Sequence, residues 1–328
     1  MKIAIVKLTS MGDVAMASFV PQLLRSIDDN VTSVDWICDS DFKDVIDYNP
    51  FINNIFEIPI RRLKKTKKGL LQAIATLRQI KSNKYDIIID LQGTIKSAIV
   101  ARMIKSKNTK IYGFSFTSAK ESLASLFYNK HLQIDYNANI IKRNLMLTYF
   151  AVGKTFSQDV ITRLLPSLYF NDSKTDISIQ ITNKIVTYKP EKIIFVNFFS
   201  SKKTKHIPIN VMMNIIKNYP QYLFVSHYYN QDEKIELTNL IHLSNFILID
   251  YRLDINELKY LIATKVDLLI GSDSGISHFA SLLKKPSIIA FTNDCGIRNT
   301  LITQQNSYCK ISDLKQSFSN LVQNIFSI

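Results

Sequence analysis

Ser10-Met11-Gly12-Asp13 follows directly on an apolar run, and Gly12 lets the chain turn tightly so that Asp13 arrives at a helix N-terminus. An acid in that place has two readings. It can cap free helix N–H groups, worth about 1 kcal/mol, or it can take a proton from an incoming hydroxyl. Gly12 belongs to no GxGxxG sequence and to no GxxxxGK sequence, so neither a dinucleotide fingerprint nor a P-loop is present. A second stretch, Gly271-Ser272-Asp273-Ser274-Gly275-Ile276-Ser277-His278, opens a helix after another apolar run. Its small residues let a diphosphate approach the backbone, where free amides and the helix dipole hold negative charge, and Ser272 and Ser274 add hydroxyl donors. The competing reading is an ordinary Asp- or Ser-capped helix, with His278 a core or supporting residue. A third stretch, Ser200-Ser201-Lys202-Lys203-Thr204-Lys205-His206, puts hydroxyls and ammonium groups in one loop. It suits neutralising a leaving phosphate, or simple solvation. The fourth, Arg61-Arg62-Leu63-Lys64-Lys65-Thr66-Lys67-Lys68, has six cations in eight residues. It suits a clamp for phosphates or carboxylates, or contact with anionic lipid. Asp39-Ser40-Asp41 has the spacing of a divalent-metal pair but lies in an acidic segment away from the serine-rich stretches, so it reads as a turn and no metal is expected.

The elements that must position these residues follow from hydrophobic pattern. Lys2–Val6 is a short β-type run, and a helical pattern continues through Val14, Ala17, Val20, Leu23 and Leu24, the opening of a βαβ unit. Further strands are predicted at Val34–Cys38, Ile55–Ile58, Asp86–Leu91 and Lys110–Tyr112, with helices at Lys68–Lys81 and Ile95–Met103. Runs such as IIID are apolar on both faces, as parallel strands covered by helices require. The second half repeats the scheme with strands at Ile193–Asn197, Tyr222–Ser226, Phe246–Asp250, Asp267–Ile270 and Ser287–Phe291. Helices fit Val211–Asn218, Asp232–His242, Ile255–Ala263 and Ile276–Leu283. Roughly residues 155–190, with Pro166 and Pro190, read as a polar, irregular linker region, and Asp313–Ile328 as one amphipathic helix. The fold class is therefore α/β, two doubly wound domains in series, with ligands expected outside the carboxyl ends of the strands.

The chain has 328 residues, 46% of them hydrophobic, enough for one large core or two ordinary ones. Only 8 Gly and 8 Pro argue against a fibrous or low-complexity chain. No apolar run approaches the roughly 20 residues that span a bilayer. The start, MKIAIVKLTSMGD, does not read as a signal peptide, because Lys7 breaks its apolar stretch. Cys38, Cys295 and Cys309 are an odd number without metal-ligand spacing, which suits a reducing cytosol. The formal charge of +14 is uneven. Residues 1–60 carry 4 Lys/Arg against 9 Asp/Glu, residues 61–154 carry 19 against 4, and residues 155–328 carry 18 against 14. Such a local field favours a polyanion: nucleic acid, an anionic membrane surface or a phosphorylated glycolipid.

Taken together these residues resemble the heptosyltransferases of glycosyltransferase family nine, and among them the type I group of lipopolysaccharide inner-core synthesis. IVKLTSMGDV resembles that family's N-terminal motif, and SAKESLASLFYNKH at 118–131 resembles the type I enzymes in particular. KHIP at 205–208 and SDSGISHFA at 272–280 resemble the C-terminal donor-site motifs in order and spacing. The resemblance runs over essentially the whole chain. It implies a GT-B architecture of two Rossmann-like domains facing across a cleft. These would be an acceptor-binding domain over 1–165, a nucleotide-sugar-binding domain over 166–312, and a helix over 313–328 packing back on the first domain.

The resemblance also implies an inverting, metal-independent transfer of L-glycero-D-manno-heptose from ADP-heptose to the Kdo of Kdo-lipid A, with no cofactor, at the cytoplasmic face of the inner membrane. In that scheme Asp13 is the general base, with Ser10, Met11 and Gly12 around the acceptor, and Lys205 stabilises the departing ADP. Ser200, Ser201, Asp273, Ser274, Gly275 and His278 line the donor, and Asp232 or Glu233 meets its ribose. Arg61, Arg62, Lys64, Lys120 and Arg143 bind the acceptor's phosphates and carboxylate. Serines stand at 200 and 201 where the family leads one to expect threonines, Ile207 where it has Trp, and Lys120 where an Arg is typical, which removes a bidentate donor.

Two other activities stay open from the residues alone. One is a type II transferase adding the next heptose. The other is a basic nucleic-acid-binding protein using residues 61–154, against which no recognised RNA- or DNA-binding motif is found and no aromatic residue interleaves the cations of 61–68.

Overall fold

The computed structural model describes residues 1–60, 67–156, 160–171, 176–292, 298–301, 303 and 305–326. The chain divides into two compact units, Met1–Ser167 and Leu168–Ile328.

The first unit holds a six-stranded sheet of β1 (Lys2–Val6), β2 (Ser33–Asp39), β3 (Asn54–Ile58), β4 (Ile87–Asp90), β5 (Lys110–Phe114) and β6 (Lys130–Leu132). Its strand order is β3-β2-β1-β4-β5-β6 with every pair parallel. The second unit repeats this with β7 (Lys192–Asn197), β8 (Tyr222–Ser226), β9 (Phe246–Leu248), β10 (Leu268–Ser272), β11 (Ser287–Phe291) and β12 (Asn306–Lys310) in the order β12-β11-β10-β7-β8-β9, again all parallel. Both orders are doubly wound, and the winding reverses between β1 and β4 in one unit and between β7 and β10 in the other. The central strands IIID and SIIAF are buried at every residue, as covering on both faces demands. One clamp is used twice at the amino ends of the reversing strands. Asp86 Oδ2 accepts from Lys2 N at 2.8 Å, and Asp267 Oδ2 accepts from Ile193 N at 2.8 Å.

Three sequence expectations are corrected. The single helix expected after β1 is two, Met11–Ala15 and Val20–Ile27, because Pro21 lacks the N–H that a continuous helix would bond to Ala17. The region expected to be an irregular linker contains helices Val160–Arg163 and Asp176–Tyr188. The boundary falls after Ser167, not after residue 165; Ser167 Oγ and Ser18 Oγ are 2.9 Å apart, which ties this residue to the first unit. The terminal helix, Leu314–Phe326, packs into the second unit's core. Leu314, Phe318, Leu321 and Val322 recur at helical spacing on its buried face, and the Phe318 ring meets Tyr219 edge-on at 4.8 Å and Phe224 at 6.3 Å.

Candidate functional site

At the reversal point of the first sheet the chain leaves β1 into Ser10 and the helix Met11–Ala15. Asp13 sits in the helix's first turn and reaches back: its Oδ2 accepts from Ser10 N at 3.3 Å and from Ser10 Oγ at 3.1 Å. Both readings of this acid therefore meet in one carboxylate, since it closes the helix entry and also lies at the carboxyl end of a reversing strand. Burial alone raises the Asp13 carboxyl, but the Lys7 ammonium, the Ser10 amide, Lys120 and the Ser10 hydroxyl outweigh it and hold the group below the usual carboxylate range. The result is an ionised acid in a half-buried place, the state a proton acceptor needs.

Lys7, at the end of β1, was not singled out from sequence, yet it is the largest attractive influence on Asp13. It is buried, and its Nζ donates to Leu91 O at 3.0 Å. Burial pulls its pKa down, against the attraction of Asp13 and Asp90 and alongside the repulsion of Lys120 and Arg143. Asp90 closes β4 on the same level. Its Oδ2 accepts from Tyr128 Oη at 2.8 Å, and its Oδ1 accepts from Gln92 N at 2.9 Å and Gly93 N at 3.2 Å. Burial nonetheless lifts the Asp90 carboxyl above its ordinary value. Two carboxylates thus flank one ammonium, with the half-buried one pushed toward the anion and the fully buried one toward the acid. Gln92 completes the floor by accepting from Leu8 N and Thr9 N, each at 3.2 Å. The sequence signals for these residues are a lone cation inside an otherwise apolar parallel strand and a polar residue ending each reversing strand.

Among the residues expected to hold an acceptor, Lys120 is exposed and close enough to act on both Asp13 and Lys7. Arg143 is placed otherwise. It is buried, donates to Asp135 O at 2.7 Å and Ser118 O at 2.6 Å, and lies 4.3 Å over the Phe114 ring. Its guanidinium ties Ser118 to Asp135. Arg61, Arg62 and Lys64 lie outside the described residues. Asp39 and Asp41 form the expected turn, Asp39 Oδ1 accepting from Asp41 N at 3.1 Å.

At the reversal point of the second sheet, loops from β7 and β10 meet. Lys205 Nζ pairs with Asp273 Oδ2, and His278 Nε2 stands 3.7 Å from Asp273 Oδ1. Burial raises the Asp273 carboxyl, but His278 and Lys205 beside it prevail and bring it below its ordinary value. Asn197, the polar end of β7, donates to Ser274 Oγ at 2.6 Å and Ser277 Oγ at 3.1 Å, while Ser277 Oγ donates to Ser272 O at 2.6 Å. Ser272 Oγ is spent on Phe199 O at 2.9 Å. The hydroxyls of 272 and 274 therefore build the loop. The helix expected over Ile276–Leu283 is a single 3-10 turn, Ile276–His278, followed by the short helix Phe279–Leu282, so dipole assistance to an anion there is small. Gly275 sits at the entry of that turn.

Ser200 Oγ donates to Lys202 O at 3.0 Å, and Ser200 O lies 3.0 Å from His206 Nε2, which folds the basic loop onto the sheet end; Ser201 is exposed beside it. Ile207, in place of the expected Trp, is buried and its N–H bonds to Phe198 O at 2.9 Å. Of the two ribose candidates, Glu233 serves its own helix, accepting from Tyr229 N at 2.8 Å and Asn230 Nδ2 at 2.9 Å, whereas Asp232 is exposed.

An ionised acid at one reversal point and a cation–carboxylate–imidazole cluster at another can serve, respectively, a hydroxyl nucleophile and an anionic leaving group. The sequence profile described as "Glycosyltransferase family 9 (heptosyltransferase)" matches residues 73–319. A lipopolysaccharide heptosyltransferase 1 of Campylobacter coli is 30% identical over 98% of this chain and 91% of its own length. Two structures of the Escherichia coli heptosyltransferase WaaC are similar at 19% identity. The one with ADP has a TM-score of 0.80 and covers 99% of each chain, and the one with ADP-2-deoxy-2-fluoro heptose has a TM-score of 0.77 over 98% of this chain and 99% of that one. The shared fold is the GT-B fold of those enzymes, and the chain belongs to glycosyltransferase family 9, the heptosyltransferases.

Proposed function

We propose that this enzyme is a heptosyltransferase I, moving heptose from ADP-heptose to the Kdo of Kdo-lipid A with inversion at the anomeric carbon. The observation that carries the reading is the full-length likeness to the Campylobacter coli heptosyltransferase 1, joined to an acid kept ionised at the end of β1. Asp13 takes the proton from the Kdo hydroxyl as that oxygen attacks the heptose C1. The C1–O bond to the ADP β-phosphate breaks on the opposite face, and the electron pair leaves with ADP. Lys205 shifts part of its charge from Asp273 to the diphosphate, and Asp273, backed by His278, receives the donor's heptose hydroxyls. The scheme needs no resident metal or cofactor, since the cations that meet the leaving group are side chains.

Work on a lipid-anchored acceptor fits attachment at the cytoplasmic face of the inner membrane. Among the described residues no helix is long and apolar enough to cross a membrane, so that attachment would be peripheral. The test is coupled detection of ADP with ADP-heptose and either Kdo-lipid A or its already heptosylated form, each with and without chelator. Release of ADP with the first acceptor, unchanged by chelator, is the expected result. Release only with the heptosylated acceptor would make the protein a type II enzyme, and loss of activity in chelator would remove the metal-free scheme.

A further inference from the structure

One face of the first sheet is covered by a layer of three elements, the helices Lys67–Ser82 and Ile95–Ile104 and the 3-10 segment Ser122–Phe127. Each packs on its neighbour, and their inner residues, among them Leu77, Ala98, Ile104 and Ala124, join strands β1 to β5 in one core. The outer side of this layer is unlike a solvated surface. Leu71, Ile99, Met103, Leu123 and Leu126 are 41–75% exposed, so among the described residues most of the large apolar side chains that the first unit shows to solvent lie on these three elements. In sequence the three contain six Lys or Arg and no Asp or Glu. On the helix Ile95–Ile104 the exposed positions Lys96, Ile99, Arg102 and Met103 fall on one side, apolar and cationic together. Large apolar side chains set among cations, with no acid on the three elements themselves and the adjoining Glu121 turned to the Ile95 amide, fit a surface that is anionic on the outside and hydrocarbon beneath.

We propose that the outer surface of this layer is the face by which the enzyme docks on an anionic lipid bilayer, with Leu71, Ile99, Met103, Leu123 and Leu126 entering the headgroup–acyl boundary and the surrounding cations meeting lipid phosphates. The same layer starts at the site. Helix Ile95–Ile104 is capped by Thr94, just after Gly93 donates to Asp90, so docking on this face presents the carboxyl end of β4 near the lipid surface. The proposal rests on the membrane-face reading above and names the surface responsible for it.

The test is flotation of the full chain with vesicles of phosphatidylethanolamine and phosphatidylglycerol (3:1), and with phosphatidylcholine alone, with no acceptor or donor present. Three variants are compared with the wild type: Leu123→Ser with Leu126→Ser, Ile99→Ser with Met103→Ser, and Lys96→Glu with Arg102→Glu. Thermal melts show whether each is folded, and ADP release with detergent-solubilised Kdo-lipid A reads the enzyme independently of any bilayer. Wild type is expected to float with the anionic vesicles only, less so at high salt, and each double variant to lose about tenfold or more in partitioning at unchanged melting temperature and unchanged activity in detergent. Partitioning that survives in both leucine and isoleucine–methionine variants overturns the proposal, whatever the charge variant does. A wild-type dimer in light scattering that the apolar variants dissociate assigns it to a second copy of this chain. Failure of wild type itself to float removes the membrane-face reading, while loss of activity in detergent by wild type removes the transferase reading alone.

Discussion

Asp13 owes its ionisation to neighbours outside its own motif. The carboxylate is only half-buried, but Lys7 below it is fully buried and held on Leu91 O, so its charge acts across protein and not across water. In its proposed role as base Asp13 works when ionised, and turnover is expected to fall as pH drops through its pKa. Removing the cation that favours the anion raises that pKa, so Lys7→Met should move the acid limb of the kcat/KM profile to higher pH, whereas Lys7→Arg should leave it near the wild-type position. A profile that does not move in Lys7→Met would detach Lys7 from the base. Arg143 provides the opposite case. The resemblance implies contact with the acceptor, and Arg143 Nη1 and Nη2 donate to two carbonyls inside the first unit. Arg143→Ala should cost roughly 1.5–3 kcal/mol of stability in denaturant unfolding for each charged hydrogen bond lost, with the acceptor KM changing less than the melting temperature. A large rise in KM at wild-type stability would return Arg143 to the acceptor site.

The elements show what sequence pattern conveys and what it omits. Central strands were legible because two-sided burial writes a continuous apolar run, as in β4, β7 and β11. β6 and β12 are edge strands with polar sequences, KHL and NSYCK, and left no such trace. The helix break at Pro21 was readable in principle, since proline cannot donate to the preceding turn. The donor-side loop was legible as a composition but not as a geometry. Its serines looked like ligand donors, and most of their hydroxyls turn out to hold β7 to β10 through Asn197. Gly271 is required by that packing: a Cβ there would fall on Ser277 Oγ and come within 2.7 Å of Ser277 Cβ. Gly271→Ala should therefore push Ser277 from Asn197 and cost about 1–3 kcal/mol, with weakened binding of ADP measured by calorimetry. Wild-type stability and ADP affinity in this variant would mean that the loop is looser than its contacts indicate.

Across the whole chain the two units are built on one plan, down to the aspartate that clamps the amino ends of the reversing strands, and the plan places the candidate site residues at the carboxyl ends of β1 and β4 and of β7 and β10. Charge is divided differently from fold: the first unit carries the acidic opening segment and the strongly basic stretch that follows it, the second only a mild excess. The terminal helix is part of the second core, because its apolar stripe meets Tyr219 and Phe224. Phe318→Ala should thus destabilise the second unit by about 3–5 kcal/mol, seen as an earlier loss of ADP binding on heating, while an unchanged midpoint would deny the helix that place. Motif order alone could not assign this helix, since amphipathicity states that a face is buried and not which core buries it.

The most direct measurement is a comparison of Asp13→Asn with the wild type, following heptosylated Kdo-lipid A by mass spectrometry and ADP-heptose affinity by calorimetry. Asn preserves the side chain's size and its acceptance from Ser10 but cannot take a proton. Turnover should drop by about 10²–10⁴-fold with donor affinity retained. Product formation at the wild-type rate, or donor binding lost together with turnover, would contradict the role of Asp13 as the base.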